Sequence, residues 1–425
     1  MLPCVKESPR SGATARCITP YQETCSMRHT SALPALSRLT AAVALLAAAG
    51  AAHAVDFSGY FRGGPGLTSK NTSRACYHLN EGAGNGIGHG LNYRLGNECD
   101  IYGEFQGVQG FSKDGLDYSA TLMVTHYSNG TDTKNNDLAI EQMYAEVKGF
   151  DVLPEGNFWI GKRRGRRGDV HIVDWFFTDM KGVGAGVSGI SVGSGKLGFG
   201  WYKTDGDSTD TRPGNRLNLE VLGIDSNAGG KANLFFTYVK GDFTGGTSGL
   251  GVSLRHDQQL GTSFSNTLWA QVATGSASLE SNFGDLTRKS GAKSYRLVES
   301  INWQAGVFGG QALAVLGSSE DNAGKKTTAT TLGGRVSYGV TKNFKLVSEL
   351  GSSRYKTDGA DAATLTKFTF APTLSVNNEF WSRPELRLYV TTAKWSKGAG
   401  NVTGQVNFAD KTSGTSAGAQ VEWWF

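Results

Sequence analysis

The chain ends in GAQVEWWF, residues 418–425. On an extended backbone Ala419, Val421, Trp423 and Phe425 fall on one side, and Gln420, Glu422 and Trp424 on the other. Successive side chains of a strand point to opposite faces, so this strand meets an apolar medium on one face and a polar one on the other. The same period of two recurs upstream. In LDYSATLMVT (116–125), Leu116, Tyr118, Ala120, Leu122 and Val124 oppose Asp117, Ser119, Thr121, Met123 and Thr125. In NFKLVSEL, Phe344, Leu346 and Leu350 oppose Lys345 and Glu349, and in ELRLYVTTAKW, Leu386, Leu388 and Val390 oppose Arg387, Tyr389 and Thr391. No helical stripe is sustained after residue 54.

Short turn signals separate some of these runs, such as Pro154-Glu155-Gly156-Asn157, Gly195-Lys196 and Thr341-Lys342-Asn343. Others are parted by long stretches rich in Gly, Ser, Asn and Asp, at 71–92, 205–215 and 398–416. Short turns at one end and long polar loops at the other is the plan of an outer-membrane barrel. A soluble secreted β-protein would also alternate. The last strand decides against it, because an apolar face closing on a carboxy-terminal phenylalanine looks like the recognition strand of outer-membrane barrels. At roughly 18 to 22 residues per strand and connection, the part of the chain after residue 54 holds about 16 to 18 strands. The expected fold is all-β, a transmembrane antiparallel β-barrel without an internal domain boundary.

Residues 1–54 read as a leader. Met27-Arg28-His29 and Arg38 are basic, AAVALLAAAGAA at 41–52 is apolar, and Ala52-His53-Ala54 offers small residues for cleavage after Ala54. That is a secretory signal peptide starting at Met27, with an apolar run too short to span a bilayer as a helix. The chain has 42 Lys and Arg against 37 Asp and Glu. Five of those bases and two of the acids lie in the leader, which leaves 37 against 35 in residues 55–425. So even a balance suits a neutral ligand and gives no reason to expect nucleic acid. Beyond the leader only Cys76 and Cys99 remain. In an oxidising compartment they read as one disulfide, with two free thiols as the alternative.

The start VDFSGYFRGGPG (55–66) and YRLGNECDIYGEF (93–105) resemble the opening of the maltoporin family. WIGKR (159–163) with GDVHIVDWFF (168–177), FWSRPELRLYVTTAKW (380–395) and the closing GAQVEWWF resemble its later segments, in order. The resemblance implies 18 antiparallel strands, a homotrimer, and a lumen narrowed by an inward-folded third loop. It also implies an aromatic slide for linear oligosaccharides such as maltodextrins, flanked by a polar track. By that resemblance Tyr60, Tyr102, Trp381 and Trp424 match slide positions. Arg62, Arg94, Glu104, Arg167, Asp169 and Asp174 match the track, and Arg163 to Asp179 the constriction, with Phe176 and Asp179 in it. The chemistry is consistent with this: aromatic faces receive sugar C–H faces, while charged groups exchange hydrogen bonds with hydroxyls. Such a pore needs no cofactor, metal or catalytic group.

Parity provides an independent test. Tyr60 and Arg62 share a face with Asp56 and Ser58, opposite Val55, Phe57 and Phe61. Arg94, Glu98, Asp100, Tyr102, Glu104 and Gln106 share a face opposite Leu95, Cys99, Ile101 and Phe105. Trp381 goes with Arg383, Glu385, Arg387 and Tyr389, and Trp424 with Glu422 and Gln420. Aromatics at the lipid interface would have the opposite parity.

The chain also departs from the family. Phe264, the position for a further slide aromatic, has the parity of Leu268, Ala270 and Val272, so it reaches the lumen only through a bulge. Trp269 is the alternative ring there. A tryptophan of the second loop has no counterpart between Tyr127 and Gln142, Phe176 stands for a tyrosine, and a track arginine near Met143 is absent. The run from Arg163 to Arg167 reads either as lumen charge or as a basic cluster for lipopolysaccharide phosphates. His171 lies in the constriction, where it would titrate with conductance or serve as a hydrogen-bonded loop histidine. GAGVSG at 184–189 and GTSAG at 414–418 match nucleotide-loop and nucleophile-elbow patterns, without the strand-to-helix context either needs. The expected function is passive diffusion of malto-oligosaccharides. Competing readings are a sucrose or other oligosaccharide porin, a general diffusion porin, a barrel hydrolase, and a phage or adhesion receptor.

Overall fold

The computed structural model describes residues 55–69, 74–79, 86–88, 91, 93–129, 136–206 and 212–425. Residues 1–54, expected from sequence to be a leader, and parts of the polar stretches at 71–92 and 205–215, lie outside these. The first strand, β1, runs as Asp56–Gly63 and resumes as Gly66–Thr68. Both pieces pair with the last strand in one unbroken register, Tyr60↔Trp424 through Gly63↔Val421 and on to Gly66↔Gly418. Next come β2 (Asp100–Lys113), β3 (Leu116–Asn129), β4 (Asn136–Lys148), β5 (Asn157–Val170) and β6 (Trp175–Val192). They are followed by β7 (Gly195–Thr204), β8 (Gly214–Asn227), β9 (Gly230–Gly241), β10 (Ser248–Leu260), β11 (Phe264–Thr274) and β12 (Lys293–Ala305). The last six are β13 (Phe308–Glu320), β14 (Lys326–Thr341), β15 (Phe344–Thr357), β16 (Ala363–Ser375), β17 (Glu385–Trp395) and β18 (Ser413–Trp424). Each strand pairs antiparallel with the next, and β18 with β1, closing an 18-stranded barrel. Closure leaves no strand among the described residues as a free end of the sheet, in keeping with a membrane-spanning barrel.

Alternation becomes sidedness. On β17, Leu386, Leu388 and Val390 are 56%, 64% and 52% exposed, whereas Arg387, Tyr389 and Thr391 are 2%, 5% and 0% exposed. An apolar outer wall around a polar interior would be costly in water and suits a hydrocarbon surrounding. Near the chain ends the outer face carries Phe57, Phe61, Phe105, Trp423 and Phe425. Their rings contact one another, with Trp423 and Phe425 at 4.9 Å and Phe61 and Trp423 at 5.5 Å.

Two segments enter the barrel. β5 pairs with β4 only from Asn157 to Lys162, and β6 pairs with β7 only from Val183 onward. Between these points the β5–β6 hairpin leaves the wall, turning at Gly161 (φ 131°) and Gly182 (φ 149°). A Cβ on Gly161 would sit 2.4 Å from the Met143 carbonyl oxygen, so the departure depends on glycine there. The hairpin tip is a single 3₁₀ turn, His171–Val173, closed by Asp174 at φ 50°. Val170, Ile172, Val173 and Phe177 are buried against Trp269, Val298, Leu313, Val315 and Phe380 on the inner wall. Ile172 donates its backbone N–H to Gln311 Oε1 at 3.0 Å, and Gln271 Nε2 donates to the Phe177 carbonyl at 2.7 Å. The inward-folded constriction is therefore this hairpin, clamped at its far end.

The segment between β1 and β2 also turns inward. Parity had carried a strand back to Arg94, but the strand begins at Asp100 and Leu95 is fully buried inside, against Val347, Ala371 and Tyr389. The cause is a local fold tied at its base: Cys76 and Cys99 form a disulfide, and Asn97 exchanges hydrogen bonds with the Tyr77 backbone at 2.7 and 3.1 Å. Leu95 N–H then donates to Glu349 Oε1 at 2.8 Å, and Thr369 Oγ1 donates to the Leu95 carbonyl at 3.0 Å.

Candidate functional site

With the first inward segment packed against β13–β17, two open chambers stand out. One, of about 360 Å³, includes Arg62, Arg94, Glu98, Asp100, Tyr127, Val173, Asp174 and the disulfide in its lining. The other, about 1060 Å³, opens among the short turns between Asp117, Glu146, Lys148, Asn157, Arg166, Lys196 and Glu220.

All four expected slide aromatics turn to the lumen. Tyr60 donates its hydroxyl to Glu422 Oε1 at 3.2 Å, and its ring lies 6.2 Å from that of Tyr102. Trp381 and Trp424 are 6.4 Å apart, and both contact the His171 ring at the hairpin tip, at 5.2 and 5.4 Å. Tyr60 and Trp424 are paired across β1 and β18, so the two ring pairs belong to one row. Trp381 sits in the turn before β17 and is 41% exposed, which leaves its face open.

Phe264 departs from the expectation. β11 pairs with both neighbours without a register shift, so no bulge turns this ring inward, and it remains 40% exposed on the outer face. Trp269 does face inward, but it is buried beneath the hairpin, 5.5 Å from Phe177, as part of the clamp.

The track residues are held by ion pairs. Arg62 binds Asp100 at 2.7 Å, Glu98 at 3.0 Å and Asp174 at 2.5 Å. Arg94, arriving from the inward segment, binds Glu98, Glu422 at 3.0 Å and the Tyr60 hydroxyl. Asp174 lies beyond the strand ends; burial would raise its pKa, but Arg94 and Arg62 hold it down at about 2. Glu104 accepts from Tyr102 at 2.5 Å. Arg167 stacks on Phe176 at 3.6 Å, and like Asp169 it stays exposed in the lumen with no ion pair among the described residues. Asp179 pairs with Lys181 at 3.2 Å and donates its backbone N–H to the Glu280 carbonyl.

His171 is enclosed. Arg383 donates to its Nε2 at 3.0 Å and the Arg94 guanidinium lies 3.4 Å from its Nδ1. Burial lowers its pKa to about 3 despite Glu422 nearby, with Arg94 and Arg383 also lowering it. The arginine run is internal, since Arg163 pairs with Glu146 and Arg166 with Glu220, both at 3.0 Å. That geometry removes it as a surface cluster for lipopolysaccharide phosphate.

The profile of the LamB porin family matches residues 55–425. The chain belongs to the LamB porin family. It is a porin of the bacterial outer membrane, with its apolar wall toward lipid and its charged wall toward water. Among solved structures, OccK2 (OpdF) of Pseudomonas aeruginosa in complex with glucuronate is 8% identical, covering 87% of this chain and 98% of that one at a TM-score of 0.50. OpdQ of the same organism is 7% identical, covering 88% and 99%, at 0.49. At 8% identity the first likeness is one of fold alone.

Glu141 was missed from sequence, while Arg164, Glu422 and Arg383 were placed in the lumen without a role; all four tie the track together. Glu422 and Arg383 carried the right parity as a signal. Glu141 had none, because a bulge sets its direction, with Met123 opposite Gln142 and Val124 opposite Ile140.

Proposed function

We propose that this porin passes linear, uncharged oligosaccharides, maltodextrins first among them, along Trp381, Trp424, Tyr60 and Tyr102. The observation that carries this reading is a row of aromatic rings on an otherwise charged inner wall, where Arg62, Arg94 and Arg383 beside the rings are already paired with Glu98, Asp100, Asp174 and Glu422. Paired charges present hydrogen-bond donors and acceptors to hydroxyls without a net field that would hold an ion. Aromatic faces add weak, repeated contacts with sugar C–H surfaces, and weak repeated sites permit both binding and release. Arg62, Arg94, Glu104, Arg167, Asp169 and Asp174 are the hydroxyl partners in this scheme, and Asp179 and the Phe176–Arg167 stack shape the narrow stretch. No bond is made or broken. We further propose a homotrimer and export by the leader, with cleavage after Ala54.

The test is ion current through purified protein in planar bilayers, titrated separately with maltotriose, sucrose and cellobiose. Saturable block by maltotriose at lower concentration than by the other two supports the reading. Stronger block by sucrose reassigns the substrate, and indifference to all three leaves a general diffusion porin.

A further inference from the structure

We infer that Arg164 is a specificity-determining and positioning residue of this pore: borne on the hairpin root, it directs its guanidinium onto Glu104, Glu141 and Tyr102 of the wall. The inference rests on the proposed oligosaccharide reading for its substrate and on geometry for its placement.

β5 last touches the wall at Lys162, opposite Met143. Two residues later the hairpin is inside the barrel, where both its faces meet the interior, so strand parity no longer governs which side chains point inward. Arg164 is anchored there by its own backbone, whose N–H donates to Gln142 Oε1 at 2.9 Å; Gln142 in turn donates to Gln106 Oε1 at 2.8 Å. Its side chain reaches back over the wall. Nη1 donates to Glu104 Oε1, Nε donates to Glu141 Oε1 at 3.2 Å, and Nη2 reaches the Tyr102 hydroxyl at 3.5 Å. The side chain is 9% exposed, so it is positioned by these partners and not by solvent.

The bulge in β4 is what makes the fork possible. It lets Glu141 and Gln142, which are neighbours in sequence, both serve the same arginine. The cluster then holds two carboxylates, Glu104 and Glu141, against Arg164 and one outlying ammonium, Lys162, 3.7 Å from Glu141. Tyr102 is fixed from two directions, because its hydroxyl is shared by Glu104 and Arg164 while the Arg62 guanidinium lies 5.3 Å from its ring centroid. Arg164 therefore does two things: it cancels carboxylate charge beside the slide, and it holds the hydrogen-bonded Tyr102–Glu104 pair in one orientation. A lysine would restore the charge without the planar fork that serves two carboxylates and a hydroxyl at once.

The experiment compares wild type, Arg164→Met and Arg164→Lys in planar bilayers, with two readouts on each. Maltotriose titration of the current gives the binding constant, and the reversal potential in a KCl gradient gives ion selectivity. For Arg164→Met we expect block weakened about tenfold, the scale of losing a hydrogen bond to a charged group, together with a shift toward cation selectivity. Arg164→Lys should keep the wild-type reversal potential while block is still weakened severalfold. A merely structural arginine would not divide the two readouts in this way. If wild type is blocked by maltotriose and Arg164→Met is blocked equally well, the inference is overturned. If wild type ignores sugar, the proposed substrate falls. The reversal potential then judges the charge balance alone, and an unshifted Arg164→Met would overturn that too.

Discussion

Trp423 and Trp424 are adjacent in sequence and face opposite media, so replacing each by alanine tests the whole argument from strand parity. Trp424 lies beneath the Arg383 guanidinium at 4.1 Å, edge-on to His171 at 5.4 Å and 6.4 Å from Trp381. Losing its face from a sugar path removes about 1 kcal/mol of aromatic contact, or roughly a fivefold loss of affinity. Trp424→Phe keeps a ring in place and should recover most of that loss, which separates a missing sugar contact from a loosened hairpin. Trp423 instead touches Phe61 at 5.5 Å and Phe425 at 4.9 Å on the outer wall. Trp423→Ala should cost about 1–3 kcal/mol of stability from two aromatic pairs, with sugar affinity unchanged. The assay pairs maltotriose block of single-channel current with urea unfolding from lipid vesicles. Equal loss of sugar affinity in both variants, or a loss only in Trp423→Ala, would refute the assignment of faces.

Three other expectations rest on single contacts. The Tyr93 ring occupies the space of a side chain at Gly351, where a Cβ would come within 1.9 Å of it; Gly351→Val should displace the inward segment, costing about 1–3 kcal/mol and raising open-channel conductance. His171 has a pKa lowered from its ordinary 6.5 to about 3, so it stays neutral through the physiological range. Conductance should show no step from His171 between about pH 5 and 8. The sign for stability follows: hairpin docking is fully present above about pH 6.5 and weakens as pH falls toward 3, measurable as acid-dependent protease sensitivity of residues 163–182. Breaking the Cys76–Cys99 bond by a double serine replacement frees a loop whose closure contributes roughly 3 kcal/mol, which calorimetry should register as a lower unfolding temperature with the barrel still formed.

Strand faces were legible in the sequence because alternation is a local property. Each residue of a pleated strand must take the face its neighbours leave it, so Phe57 and Phe61 outward and Tyr60 and Arg62 inward followed from spacing alone. The same rule placed Phe264 outward, against the family pattern, and the register agrees. The rule failed where the chain stops being wall. Leu95 was read as facing outward from a strand that had not yet begun, and the consecutive arginines at 163–167 have no single parity once the hairpin is surrounded by the interior.

The sequence by itself determined which side of the wall the residues of a regularly paired strand occupy, and offered Cys76 and Cys99 as the partners of one disulfide. Only the tertiary structure decided where the interior is filled and where it is open. Arg164 and Glu104 are 60 residues apart, and Arg94 and Glu422 are further still. Such pairs exist only once closure of the barrel brings β18 beside β1 and folds the hairpin across the gap. A polar side chain carries its hydrogen-bonding capacity in the sequence, but the groups that satisfy it are chosen by distances that the closed sheet alone creates.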